Sequence, residues 1–144
     1  MRVYLDNCCY NRPFDDQKQL RIRLEAEAKL GVQEIILQGR VELAWSYILD
    51  FENEMNPFEQ RKMVVSQWRT HATIHADETN GILEKAGNLV QQGIKSKDAL
   101  HLACAIALEC DYFLTTDDHL IKKSTGLKEV RVADPITFVR EELE

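Results

Sequence analysis

Arg2-Val3-Tyr4-Leu5-Asp6-Asn7, close to the start of the chain, is a β-favouring apolar triplet followed at once by a carboxylate. A short apolar run bounded by polar residues reads as a buried strand. A strand buried on both faces belongs to a parallel α/β sheet. In such sheets ligands bind beyond the carboxyl ends of the strands, near the point where strand order reverses. Asp6 is therefore a candidate site residue, and equally a plain strand-ending turn residue.

Working outward, strands and helices alternate. Asp15 and Asp16 are N-cap candidates for a helix from about Gln17, with Leu20, Leu24 and Ala28 on its core face, a break at Gly31 and an end at Gly39. Val41–Trp45 reads as a second strand, and Ser46 caps a helix from Tyr47 to about Met55. Asn56-Pro57 opens another helix, to about Arg69. Thr73–Ala76 is a weak third strand, with helix from about Glu78 to Gln92, ended by Gly93. Ser96 caps a strongly apolar helix through Glu109, with Ala99, Leu102, Ala103, Ile106 and Ala107 at core spacing. Tyr112–Thr115 and Val130–Val132 are the fourth and fifth strands, and Asp134-Pro135 starts the last helix. The alternation predicts one α/β domain over residues 1–144, a three-layer arrangement with a parallel twisted sheet of about five strands flanked by helices.

At 144 residues the chain is long enough to bury a real core. It has no apolar run of membrane-spanning length and no signal-peptide pattern at its start, so the expected location is the cytoplasm, away from membranes. The four cysteines lack C-x-x-C spacing and read as small buried hydrophobes. A net charge of −6 argues against a protein that coats nucleic acid through a basic face. It leaves room for an enzyme that gathers carboxylates around a cation.

The acids at strand ends and early helix turns are Asp6, Glu52, Asp98, Asp117 and Asp118. They are too far apart in sequence for local ion pairing, and a parallel sheet brings such positions to one edge. Carboxylates held together repel, and a hard divalent ion, Mg²⁺ or Mn²⁺, relieves that repulsion. Such an ion polarises a phosphoryl oxygen and lowers the pKa of water, which points to phosphate-ester chemistry. The bland alternatives are a helix-dipole role for Asp98 and a solvated charge run for Asp50, Glu52 and Glu54. Crowding of like charge in that run favours a cation.

The succession Tyr4-Leu5-Asp6, Ser46-Tyr47-Ile48-Leu49-Asp50-Phe51-Glu52, Asp98-Ala99-Leu100-His101-Leu102-Ala103 and Leu114-Thr115-Thr116-Asp117 resembles the PIN-domain family over nearly the whole chain. That family comprises metal-dependent ribonucleases and includes VapC-type toxins of toxin–antitoxin pairs. The resemblance implies a PIN-like fold and Asp6, Glu52, Asp98 and Asp117 as metal-binding acids, with Thr115 matching a threonine two residues before the last acid. It implies hydrolysis of RNA to 5′-phosphate and 3′-hydroxyl ends, an antitoxin partner, and a homodimer. Asn7 departs from the Thr or Ser that often follows the first acid. Asp118 is an extra acid able to exchange roles with Asp117.

Candidate substrate contacts are Asn7, Arg12, Thr115 and Lys97, with Lys95, Lys122 and Lys123 as guides for a phosphate backbone or simply a solvated face. The segment Asn11–Asp16 has no assignment in the family pattern. His101 either bonds a site carboxylate or is a half-buried structural histidine. His71 and His75 are structural and His119 is open. Two rival functions remain: a PIN-like domain that binds RNA or protein without cutting, and a phosphatase with an aspartyl nucleophile. The latter wants a second acid two residues after the first, where this chain has Cys8.

Overall fold

A computed structural model describes residues 1–143. Its strands are β1 (Arg2–Leu5), β2 (Glu42–Ser46), β3 (Ile74–Ala76), β4 (Tyr112–Leu114) and β5 (Arg131–Ala133). Its helices are α1 (Asn7–Asn11), α2 (Leu20–Leu37), α3 (Tyr47–Glu54), α4 (Glu59–Arg69), α5 (Asn80–Gln91), α6 (Ser96–Ala107), α7 (Asp118–Lys123) and α8 (Pro135–Glu142). The strands form one wholly parallel sheet in the order β3-β2-β1-β4-β5. No helix of the described residues is long and apolar enough to cross a membrane.

The order reverses beside β1. The chain steps outward from β1 to β2 and β3, then returns to the other side of β1 for β4 and β5. Right-handed crossovers in opposite directions place their helices on opposite faces, so β1 is enclosed from every side. Val3, Tyr4 and Leu5 are fully buried, as are Leu43, Ala44, Trp45, Phe113 and Leu114 on its two neighbours. In register, Val3 and Tyr4 lie beside Leu43 and Ala44 on one side and beside Tyr112 and Phe113 on the other. The Tyr4 and Phe113 rings stack at 5.2 Å. The crevice between the ends of β1 and β4 is thus the switch point where open α/β sheets bind ligands.

Several local expectations are corrected. The helix expected from Gln17 starts at Leu20, because Asp15 is occupied by Arg12 and Arg61 and Asp16 accepts the Lys18 amide instead of capping. It then runs through Gly31 without a break. Its core face is also not the expected one. Leu20 and Leu24 are 59% and 44% exposed, while Glu25, Ala26, Lys29, Val32, Gln33 and Ile36 face inward. Apolar residues occur all round this helix, so periodicity alone does not choose a face. Tertiary contacts choose it: Arg12 and Arg21 approach Glu25 at 3.4 and 3.6 Å, and the Lys29 ammonium sits 5.5 Å from the centre of the Tyr10 ring. The helix expected at Asn56-Pro57 begins two residues later, since Asn56 accepts the Phe58 amide in a turn. The unassigned segment after Asp6 folds as α1 and a single 3-10 turn, Arg12–Phe14. Gly93 adopts φ +99°, which an L side chain rarely does, and it separates α5 from α6 as its position suggested.

Candidate metal centre

Asp6 is held by everything around the end of β1. Its amide donates to Leu114 O at 2.9 Å, carrying the β1–β4 pairing one residue past the strand. Its backbone then turns to cap α1, and its carboxylate accepts the Asn7 amide at 2.8 Å and the Thr115 hydroxyl at 2.8 Å. Thr115 is fully buried. Its hydroxyl is spent on Asp6 and also accepts the Asp117 amide at 3.2 Å, so it positions acids and does not face a substrate. Cys8 packs its thiol near Asp6 and Thr115, at 3.5 and 3.4 Å.

Glu52 reaches the same crevice from α3. Ser46, the last residue of β2, caps that helix through the Leu49 amide, so one residue ends the strand and starts the helix. The expected crowding with Asp50 does not arise. Asp50 turns away to accept Trp45 Nε1–H at 2.8 Å and Arg69 Nε–H at 3.0 Å. That removes the like-charge argument drawn from the local sequence, and the support for a cation comes from distant residues instead.

Asp98 stands in the first turn of α6. Burial raises its pKa above the ordinary carboxylate value, the charges of Asp6, Asp117 and Glu52 raise it further, and His101 opposes them. The four acids therefore share one electrostatic field. Asp117 caps α7 with one oxygen, accepting the His119 amide at 2.9 Å and the Leu120 amide at 3.3 Å.

A raised pKa in the folded state means that stability from this group is present at low pH and lost as pH rises through the folded value. In ion-free protein, Asp98→Asn is therefore expected to raise Tm at pH 7–8, with a gain that shrinks on acidification. A thermal melt series in EDTA from pH 4 to pH 8 checks this; a lower Tm for the variant at pH 8 would sink it.

His101 has a larger part than its sequence position suggests. It is not half-buried but 1% exposed. Its Nδ1 lies 2.6 Å from the Tyr4 hydroxyl, which lies 2.6 Å from Ser46 Oγ. Its Nε2 touches the Glu52 carboxylate and stands 3.9 Å from Asp6 Oδ1. The available signal was the three-residue spacing from Asp98, which puts both side chains on adjoining helix faces.

The remaining candidates are placed elsewhere. Asp118 is exposed and paired through both oxygens to Arg21, at 2.5 and 2.6 Å. Hydrogen bonding by that guanidinium holds its pKa below the ordinary carboxylate value. Arg12, expected to reach a phosphate, binds Asp15 at 3.1 Å and lies 3.4 Å from Glu25. Asn7 accepts from Asn11 within α1. Lys95, Lys97 and Lys122 are exposed, and Lys123 donates to Gly93 O at 2.9 Å. Lys95 and Lys123 line a shallow hollow with Asp98, Asp117 and His119.

The residues fit a divalent ion. One ligand atom each from Asp6, Glu52 and His101 lies within 4.8 Å of the others. Donor atoms around one octahedral ion are about 3 Å apart when adjacent and about 4 Å when opposite.

Neither family models nor curated protein sequences match the chain. Solved structures do. VapBC2 from Rickettsia felis, solved bound to a DNA fragment from its promoter, has a chain of similar fold with TM-score 0.64 at 15% identity, covering 93% of this chain and 98% of that one. VapBC-1 from nontypeable Haemophilus influenzae gives 0.62 at 17%, covering 94% and 98%. FitAcB from Neisseria gonorrhoeae gives 0.59 at 15%, covering 92% and 97%. Identity this low bears on fold alone, and the fold is PIN-like.

Proposed function

We propose that this chain is a metal-dependent endoribonuclease, the toxin of a toxin–antitoxin pair, working with Mg²⁺ or Mn²⁺. The observation that supports the reading is the meeting of Asp6, Glu52 and His101 at the sheet's switch point, with Asp98 and Asp117 close enough for their charges to act on one another. Asp6 follows β1, Glu52 lies on α3, Asp98 on α6, and Asp117 after β4. Burying such a group of like charges is costly without a counter-ion. A divalent ion supplies positive charge to a phosphoryl oxygen and makes water a better nucleophile.

The protein's own part is placement. Asp6, held by the Asn7 amide and Thr115 hydroxyl, cannot swing away from the crevice. Asp98 and Asp117 lie beside the hollow edged by Lys95 and Lys123, where a phosphate backbone meets positive charge before reaching the acids. Glu52 and Asp117 orient the attacking water in line with the leaving oxygen.

The fold shared with the VapBC structures supports a role with an antitoxin. Apolar side chains left at the surface, Phe51, Met55, Phe58 and Met63 on and around α3 and α4, suit contact with such a partner or with a second copy in a homodimer. The phosphatase alternative finds no support, because the thiol of Cys8 occupies the position of the required second acid. The test is end-labelled RNA incubated with Mn²⁺, Mg²⁺ or EDTA, comparing wild type with Glu52→Gln. Cleavage should need the ion and fall by about a hundredfold or more in the variant. Cleavage that persists undiminished in EDTA would refute the reading, and absence of any cleavage across varied RNAs would favour a binding-only domain.

A further inference from the structure

We propose that His101 Nε2 is itself a ligand of the divalent ion, making this a mixed nitrogen–oxygen site that selects Mn²⁺ over Mg²⁺. The inference rests on the ion-binding reading above and names a ligand and a selectivity that the acids alone would not give. Imidazole nitrogen suits transition ions, whereas Mg²⁺ strongly prefers oxygen.

Three observations converge. His101 Nε2 is aimed into the crevice, against Glu52 and 3.9 Å from Asp6 Oδ1, and it completes the three-atom group already described. The ring is buried with no freedom to point elsewhere, and the other nitrogen is taken by Tyr4 at 2.6 Å. A ligating histidine characteristically has its far nitrogen held by such an outer partner, which sets the ring's orientation and tautomer.

The third observation is the kind of partner. A buried carboxylate or carbonyl behind Nδ1 could only accept and would lock one tautomer. Tyr4 and Ser46 are hydroxyls, each able to donate and accept. With the proton on Nε2, that nitrogen donates to Glu52 and Nδ1 accepts from the Tyr4 hydroxyl, which in turn accepts from Ser46. With the proton on Nδ1 instead, that nitrogen donates to the Tyr4 oxygen and Tyr4 donates to Ser46. The Nε2 lone pair is then free for an ion.

The decisive experiment uses the full chain without RNA. Ion-stripped protein is titrated calorimetrically with MnCl₂ and with MgCl₂. The Mn²⁺-loaded protein is then examined by electron spin echo envelope modulation for nitrogen coupled to the metal. Wild type should show ¹⁴N modulation and bind Mn²⁺ more tightly than Mg²⁺. His101→Gln should lose the modulation and about tenfold or more in Mn²⁺ affinity, with a much smaller change for Mg²⁺. Tyr4→Phe, which removes only the hydroxyl, should keep the modulation yet weaken Mn²⁺ about tenfold. Mn²⁺ bound to wild type with no nitrogen coupling overturns the proposal while leaving the nuclease reading intact, and this measurement does not depend on any variant folding. Equal losses for both ions in a folded His101→Gln protein also overturn it. Failure of wild type to bind either ion overturns both readings together.

Discussion

Asp6→Asn is expected to lower ion-dependent RNA cleavage by about a thousandfold, since a Lewis-acid contribution of several kcal/mol converts to that order in rate. The fold should survive. An asparagine at this position still accepts the Asn7 amide through its oxygen, and its NH₂ can donate to the Thr115 hydroxyl in place of the present bond to the carboxylate. It also removes one of the charges that press on Asp98. Single-turnover cleavage and thermal melts of the same preparations separate these effects. The matched control is Asp118→Asn, whose carboxylate is on Arg21. It should cleave within about twofold of wild type, as surface changes away from a site usually perturb little. Equal losses in the two variants would mean that the wrong acids have been assigned to the ion.

Lys29→Met is expected to stabilise the protein, by about 2–3 kcal/mol at pH 7. Lys29 is 2% exposed and makes no ion pair among the described residues, and burial pushes its pKa from 10.5 down to about 8. Charging it inside the fold at neutral pH costs about 3 kcal/mol relative to the unfolded chain. Loss of its contact with the Tyr10 ring offsets part of the gain, and a methionine thioether against the same ring restores some of that contact. Because the folded pKa is depressed, the unfolded state binds more protons between about pH 8 and pH 10.5. Wild type should therefore gain stability as pH rises through that window, and the variant should lack that component. Urea melts at pH 7 and pH 10 test both parts. A less stable variant at pH 7 would show that the ammonium has partners that outweigh its burial.

These two cases mark where the chain is legible as sequence and where it is not. Asp6, Asp98 and Asp117 sit where local rules put them, just past a strand or at a helix start. Those rules need only neighbours in sequence and a parallel sheet, and the strands Val3–Leu5 and Tyr112–Leu114 announce themselves by composition. The face of α2 does not. Turning Glu25 and Lys29 inward is decided by Arg12, Arg21 and Tyr10, contacts that no helical period encodes. The same holds for Asp118 and Arg12, whose side chains answer to partners elsewhere on the chain. His101 lay between the two situations. Its spacing from Asp98 is visible, but the hydroxyls that define its role are remote in sequence, Tyr4 lying 97 residues from His101 and 42 from Ser46.

The central place of β1 has a consequence for synthesis. The first strand made waits longest for its second neighbour, because β4 emerges over a hundred residues later, and pairing this distant in sequence is slow to form. A nascent or prematurely ended chain that stops short of α6 carries Asp6 and Glu52 but neither Asp98 nor Asp117, and it leaves one edge of β1 open. Such fragments are expected to be inert toward RNA and prone to degradation. On the proposed function, cleavage activity arises only once Asp98 and Asp117 have been made and have folded against Asp6 and Glu52.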